Sequence, residues 1–264
     1  MKRILITGAG SYIGDRLKCY IYVFRPQWQV EVISVRDNDW ESKSFESYDV
    51  VVNVAGIAHV KETKENEALY YEVNHKLAVK LAQKAKTEGV SQYVFLSSMS
   101  VYGLEKGRIT KESIPNPTTN YGKSKLMAEK DLWELRTDGF KVALVRPPMV
   151  YGEGCKGNYN MLIKFAEKFP LFPKWQNQRS MIYIDTLCEM LVGVMETHGE
   201  GIYCPQDKCY VCTSNMVSEI ARSKGKKILL VKWLNPFVWV AQRMPGRIGN
   251  MANKAFGDLV YELE

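Results

Sequence analysis

Short apolar runs alternate with longer amphipathic stretches through the first half of the chain. Ile4–Thr7, Val30–Val35, Val50–Val54, Tyr93–Ser97 and Val142–Arg146 carry few polar side chains. Runs of that length predict strands buried on both faces. Between them lie helical stretches, the clearest being Ala68–Glu88 and Tyr121–Thr137, with Leu126, Ala128, Leu132 and Leu135 as packing positions of the second. The alternation predicts an α/β fold built on a doubly wound parallel sheet. The interval from Val35 to Asp49 is short for a crossover plus a strand, so one element there is expected to be reduced. After Tyr151 the rhythm breaks at Gly152-Glu153-Gly154 and Gly157-Asn158, which predict a loop leaving the sheet. Pro205-Gln206-Asp207, between Gly201-Ile202-Tyr203 and Tyr210-Val211, predicts the turn of a β-hairpin.

Composition changes this picture little. The 264 residues suffice for one large domain or a domain with a small lobe, and 46% hydrophobic with 25% charged residues is ordinary for a soluble globular chain. Lys2-Arg3 leads directly into a short strand-like run and glycines, unlike a signal peptide. Ile228–Met244 is interrupted by Lys232, Asn235, Pro236 and Arg243, a poor membrane span. The expected location is the cytoplasm, with the six cysteines reduced. Cys204, Cys209 and Cys212 match part of an iron–sulfur spacing, but no fourth cysteine follows, and no metal is expected.

Charge is uneven. Arg222, Lys224, Lys226, Lys227, Lys232, Arg243, Arg247 and Lys254 lie in a stretch with no Asp or Glu and could account for the whole net +7. It could attract an anionic substrate, touch an anionic membrane surface with Trp233, Phe237 and Trp239 inserted, or be solvated lysines around a buried apolar helix. No nucleic-acid-binding module accompanies the charge, so no nucleic-acid partner is expected.

Two constellations carry chemistry. The first strand ends in Thr7-Gly8-Ala9-Gly10-Ser11-Tyr12-Ile13-Gly14, where glycines let the backbone turn tightly and approach a pyrophosphate at a helix N-terminus. Tyr121 and Lys125 lie one helical turn apart, with Ser98 about two dozen residues earlier. An ammonium beside a phenol favours the phenolate, and a serine hydroxyl can steady a carbonyl or alcohol oxygen. Tyr-x-x-x-Lys alone also occurs on ordinary solvated helix faces.

With Asn53-Val54-Ala55-Gly56, Val73-Asn74, Phe95 to Gly103, Asn120 to Lys125, Arg146-Pro147-Pro148, Val150-Tyr151-Gly152 and Arg179 to Asp185 following in order, the chain resembles extended short-chain dehydrogenases/reductases of the nucleotide-sugar epimerase/dehydratase family, UDP-glucose 4-epimerases among them. The resemblance covers residues 1 to about 190 and implies a Rossmann-type domain over 1–155, to which 180–198 return, and a small substrate lobe over most of 156–264. It implies NAD or NADP on Gly8, Gly10, Ser11, Tyr12, Ile13 and Gly14, with Ala55 and Gly56 under the adenine side, Asn74 bracing the central strands, Pro148 near the nicotinamide, and Lys125 on its ribose beside Tyr121. Ser11 departs from the family's usual glycine. Where an acid usually ends the second strand, this chain reads Ser34-Val35-Arg36-Asp37. Ser34 or Arg36 in the acid's place would accommodate NADP, whereas Asp37 on the ribose would select NAD; Arg36 tips the expectation toward NADP.

The resemblance also implies catalysis by Ser98, Tyr121 and Lys125, and substrate contacts at Ser98, Met149, Asn158 and Arg179, the arginine on a nucleotide diphosphate. Met149 replaces a common asparagine and cannot make its amide hydrogen bonds. Met99 and Ser100 lack the carboxyl groups that dehydratases use, which argues against dehydration. Epimerisation of a UDP-sugar through a 4-keto intermediate and reduction of a 4-keto sugar by NADPH remain, together with a non-catalytic dinucleotide sensor that the intact Ser98, Tyr121 and Lys125 argue against. A homodimer paired through Ala68–Glu88 and Tyr121–Thr137 is expected.

Overall fold

The computed structural model describes residues 1–262 except 59–61, 64 and 156, and elements are numbered in chain order. The chain divides into two compact units. The first comprises residues 1–103, 115–148 and 183–205. Its strands are β1 (Arg3–Thr7), β2 (Gln29–Ile33), β3 (Val50–Asn53), β4 (Gln92–Leu96), β6 (Lys141–Val145) and β10 (Gly201–Tyr203). All pair in parallel, in the order β10-β6-β4-β3-β1-β2. β1, β3, β4 and β6 are buried almost end to end because helices cover both faces, and the edge strand β2 is partly exposed.

The helices of this unit are α1 (Tyr12–Phe24), α2 (Asp39–Ser42), α3 (Glu67–Tyr71), α4 (Leu77–Thr87), α5 (Asn120–Glu134) and α7 (Ile184–Glu196). α1 packs against α7. On the opposite face, Ala78, Leu81, Ala82 and Ala85 of α4 and Ala128 and Leu132 of α5 meet Leu5, Val51, Tyr93, Phe95, Val142 and Leu144. The reduced element expected after Val35 is α2, a single turn that plugs Trp40 into this core. Among the described residues no strand lies beyond β2, so the sheet ends there. Chain order reverses between β1 and β3, and ligands of doubly wound sheets bind beyond the strand ends at such a point.

The second unit comprises residues 104–114, 149–182 and 206–264 in the same division. It holds β5 (Gly107–Ile109), β7 (Met149–Tyr151), β8 (Leu171–Pro173), β9 (Met181–Tyr183, its last residue in the first unit), β11 (Leu229–Val231) and β12 (Leu259–Tyr261), with α6 (Asn158–Lys168), α8 (Thr213–Ser223), α9 (Asn235–Ala241) and α10 (Arg247–Phe256). Residues 104–114 belong here because β5 pairs with β12, although the sequence expectation ran the first domain unbroken to 155. α6 packs on α8 over a small core around Phe172, Met181, Val217 and Ile220.

The hairpin expected at 201–211 does not form. Gly201–Tyr203 instead extends the large sheet beside β6, where an open edge offers a full ladder, and Val211 bridges Arg179. No described helix is long and apolar enough to cross a membrane.

Candidate active site

The turn after β1 is shaped by close approach. Gly8 has φ +111°, and a Cβ there would lie 2.9 Å from the Ala55 nitrogen, so only glycine lets the exits of β1 and β3 touch backbone to backbone. The amides of Gly8 and Ala9 both donate to the Ile33 carbonyl, at 2.9 and 3.0 Å. Ser11, the departure from glycine, is the N-cap of α1, its Oγ accepting from the Gly14 amide at 3.2 Å. The side chain thus stabilises the helix end that the glycine turn delivers, ahead of Tyr12 and Ile13 in its first turn.

Beneath this turn runs a buried polar chain that the sequence reading missed. Thr7 donates to Asn53 Oδ1 at 3.0 Å, Asn53 Nδ2 donates to the Tyr93 hydroxyl at 2.8 Å, and Tyr93 donates to the Ala78 carbonyl at 2.8 Å. Asn53 Oδ1 also accepts from the Ala55 amide at 3.0 Å, fixing the bend after β3. The available signal was an asparagine closing the run Val50-Val51-Val52.

Asn74 braces the adjoining loop rather than the strands themselves. Its Oδ1 accepts from the Ile57 amide at 2.8 Å, and its Nδ2 donates to the Ile57 carbonyl at 3.0 Å and Ser124 Oγ at 3.3 Å. It sits in a π-helical turn, Glu72–Lys76, that interrupts the predicted single helix between α3 and α4. Such turns widen the helix and re-aim side chains, often at functional sites. At Gly56 a Cβ would meet Asn74 Oδ1 at 2.9 Å and Lys125 Nζ at 3.2 Å, so a side chain here would displace the ends of both.

Ser98 caps the 3-10 turn Met99–Tyr102, its Oγ accepting from the Ser100 amide at 3.1 Å. α5 approaches that turn closely, because a Cβ on Gly122 would lie 2.6 Å from the Ser100 carbonyl oxygen. Thr119 caps α5 through the Gly122 amide at 3.1 Å. Glu62, also missed from sequence, accepts from the amides of Asn120 and Tyr121 at 3.3 and 3.1 Å. Its charge suits the positive end of the helix.

Tyr121 and Lys125 therefore share one face of α5 beside Ser98, but their titration differs from the sequence expectation. Burial pushes the Tyr121 phenol up, partly offset by a hydrogen bond with Ser98. Burial pushes Lys125 down to about 7. Its ammonium donates to the Leu96 carbonyl at 2.8 Å and lies 4.5 Å from the Phe95 ring centre. Exclusion of water outweighs the mutual help that a tyrosine–lysine pair implies on its own. Pro148 is buried just past β6, and the Met99 amide donates to the neighbouring Pro147 carbonyl at 2.9 Å. At the far edge, Ser34 and Arg36 are exposed past β2, the Arg36 amide donating to Ser34 Oγ at 3.3 Å. Asp37 Oδ1 accepts from the Asp39 amide, also at 3.3 Å.

The remaining candidates lie in the second unit. Met149 packs against its small core. Asn158 opens α6, and its side chain lies outside the described residues. Arg179 Nη1 donates to the carbonyls of Gly257 at 3.0 Å and Asn253 at 3.5 Å, and burial lowers its pKa. In this structure it closes the C-terminal end of α10, where unpaired carbonyls favour a cation. The six cysteines are free thiols; Cys204 Sγ lies 3.8 Å from the Tyr102 hydroxyl, and Cys212 Sγ 3.3 Å from the Trp175 carbonyl.

Known proteins can be set against this geometry. A UDP-glucose 4-epimerase of Vibrio cholerae is 36% identical over 251 residues, covering 85% of this chain and 76% of that protein. An N-acetyl-α-D-glucosaminyl-diphospho-ditrans,octacis-undecaprenol 4-epimerase of Escherichia coli O157:H7 is 28% identical, covering 85% and 73%. Among solved structures, the UDP-glucuronic acid 4-epimerase of Bacillus cereus in complex with NAD superposes with a TM-score of 0.72, at 19% identity over 96% of each chain. A dTDP-4-dehydrorhamnose reductase of Clostridium acetobutylicum gives 0.70, at 20% identity over 96% of this chain and 98% of that one. These two structures share the fold. The sequence profile of the NAD dependent epimerase/dehydratase family matches residues 4–203, and the chain belongs to that family.

Proposed function

We propose that this protein is an NAD(P)-dependent enzyme that inverts C4 of a UDP-linked sugar through a transient 4-keto intermediate. The observation that carries this reading is the grouping of Ser98, Tyr121 and Lys125 at the end of α5, in a chain 36% identical to a UDP-glucose 4-epimerase, without carboxyl groups at Met99 and Ser100. The bare positions Gly8 and Gly56 and the capped N-terminus of α1 fit a dinucleotide, whose pyrophosphate would lie against Gly8 to Gly14. Ala55 and Gly56 would pass under its adenine side, Pro148 would adjoin the nicotinamide, and Lys125 would hold the ribose. When bound, the nicotinamide supplies a hydride acceptor and donor.

Tyr121 takes the proton from the C4 hydroxyl and returns it to the C4 oxygen once the keto-sugar has presented its other face. Its raised pKa makes it a ready donor on return. For abstraction, the Ser98 hydrogen bond and a charged Lys125 are the groups that favour its phenolate. Ser98 steadies the reacting oxygen. Met149, Asn158 and Arg179 would contact the substrate. Tyr121→Phe is expected to cut turnover by roughly 10²–10⁴-fold while dinucleotide binding persists; near-normal turnover would refute the mechanism.

A second reading, NADPH-dependent reduction of a 4-keto sugar, is favoured by one observation. The first residue past β2 is Ser34, not a carboxylate, and Arg36, two residues further on, is exposed and carries a guanidinium suited to a 2′-phosphate. A GDP-6-deoxy-D-mannose reductase of Pseudomonas aeruginosa is 29% identical over 60% of the chain. The dinucleotide that copurifies decides between them: stoichiometric NAD(H) supports a cofactor recycled in place, and NADP(H) supports the reductase. We assign the enzyme to the cytoplasm, in supply of cell-surface glycan precursors. A homodimer would pair the outer faces of α4 and α5.

A further inference from the structure

We propose that the face formed by residues 229–251 docks onto an anionic lipid bilayer surface. Isolated exposed apolar side chains are ordinary, whereas a contiguous group marks a contact site. Val238 of α9 is buried, whereas Trp233 in the 3-10 turn before it, Phe237 and Val240 within it and Met244 just after it face solvent. Their exposures are 61%, 67%, 51% and 42%. Ile248 and Met251 of α10 add 53% and 50%, while Ala252 turns inward.

This surface is held in shape. A Cβ on Gly249 would lie 1.9 Å from the Met244 carbonyl oxygen, so α10 is pressed against the end of the α9 segment. Asn253 Nδ2 donates to the Gln242 carbonyl at 3.3 Å, and the Arg243 guanidinium stacks 3.7 Å from the Trp239 ring centre.

Charge identifies the partner. Every one of the eight cations between Arg222 and Lys254 is exposed, and the stretch contains no acid. Among the described residues, acids from elsewhere meet only two of them: Glu167 lies 3.9 Å from Lys224, and Glu105 3.7 Å from Lys254. Lys232, Arg243 and Arg247 thus flank a Trp- and Phe-bearing face. Aromatic side chains at the acyl boundary, with cations at the headgroups, are the arrangement by which a helix lies in an anionic interface. An apolar protein partner would leave these charges uncompensated.

The test is sedimentation of the full-length protein with vesicles of equal parts phosphatidylglycerol and phosphatidylcholine, and with phosphatidylcholine alone. The expected result is at least about tenfold stronger binding to the anionic vesicles, weakened by salt. The double variant Trp233→Ser/Phe237→Ser is expected to lose binding by a similar factor with an unchanged unfolding midpoint, and Arg243→Glu/Arg247→Glu to lose most of it. Equal or absent binding to both vesicle types would overturn the proposal. So would conversion of a dimer to a monomer by the Trp233/Phe237 double variant in light scattering, which would assign this face to a second copy. Sedimentation reads no turnover, so failure of the epimerase reading would leave this result interpretable.

Discussion

The first unit covers its apolar strands on both faces, whereas the second leaves a run of aromatic and aliphatic side chains in solvent. In the first, one parallel sheet is sandwiched between helices, and Ile4, Leu5, Ile6, Val50, Val51 and Val52 are wholly buried. In the second, β8, β11 and β12 are three residues long, and α9 exposes more of its apolar side chains than it buries. The contrast separates two uses of hydrophobicity. Continuous burial fixes a platform on which Ser98, Tyr121 and Lys125 can be held, and a covered face of one helix with an exposed face opposite suits a contact with something outside the chain.

The comparison breaks most severely at the buried ion pair of the first unit. Arg146 donates to both oxygens of Glu129, its Nη2 at 2.6 Å, and both side chains are almost wholly buried. Glu129→Ala takes the carboxylate from a buried guanidinium whose Nη1 also donates to the Tyr102 hydroxyl at 2.9 Å. The expected loss is about 3–5 kcal/mol, read from the urea midpoint; a loss below about 1 kcal/mol would mean that water reaches the pair. In the second unit the buried Asn177 side chain donates to Thr213 Oγ1 and the Gly257 carbonyl and accepts from the Thr213 amide. Asn177→Ala is expected to cost roughly 1–3 kcal/mol. A cost equal to that of Glu129→Ala would erase the contrast in burial between the units.

A pH dependence sharpens the electrostatic account. The folded pKa of Lys125, about 7, lies below its ordinary 10.5. Below pH 7 the lysine is charged in both folded and unfolded chains, and the folded state bears the full cost of burying it. Between pH 7 and 10.5 the unfolded chain holds more protons, so stability rises with pH. Lys125→Met should therefore raise the thermal midpoint more at pH 6 than at pH 9.5. Equal gains at both would show that Lys125 titrates normally.

The platform was legible because burial on both faces writes itself as unbroken apolar runs; each of the five runs is a strand, displaced by about a residue. Ser98, Tyr121 and Lys125 were legible through spacing. The π turn at Asn74 was not, since widening a helix by one residue leaves no compositional mark. Nor was Glu62, whose partners are backbone amides distant in sequence. At 201–211, turn-forming residues suggested a local hairpin, and a long-range edge pairing prevailed. For the basic segment, sequence alone could not separate a buried apolar helix from an exposed one, because Val238 and Phe237 look alike until the packing is known.

The most direct test of the proposed chemistry is incubation of the purified protein with a UDP-sugar bearing deuterium at C4, followed by separation and mass analysis of the products. Formation of the C4 epimer with the deuterium retained, and lost in Tyr121→Phe, is the predicted result. Absence of epimer from UDP-sugars, with stoichiometric consumption of NADPH by a 4-keto sugar instead, would contradict epimerisation and establish the reductase.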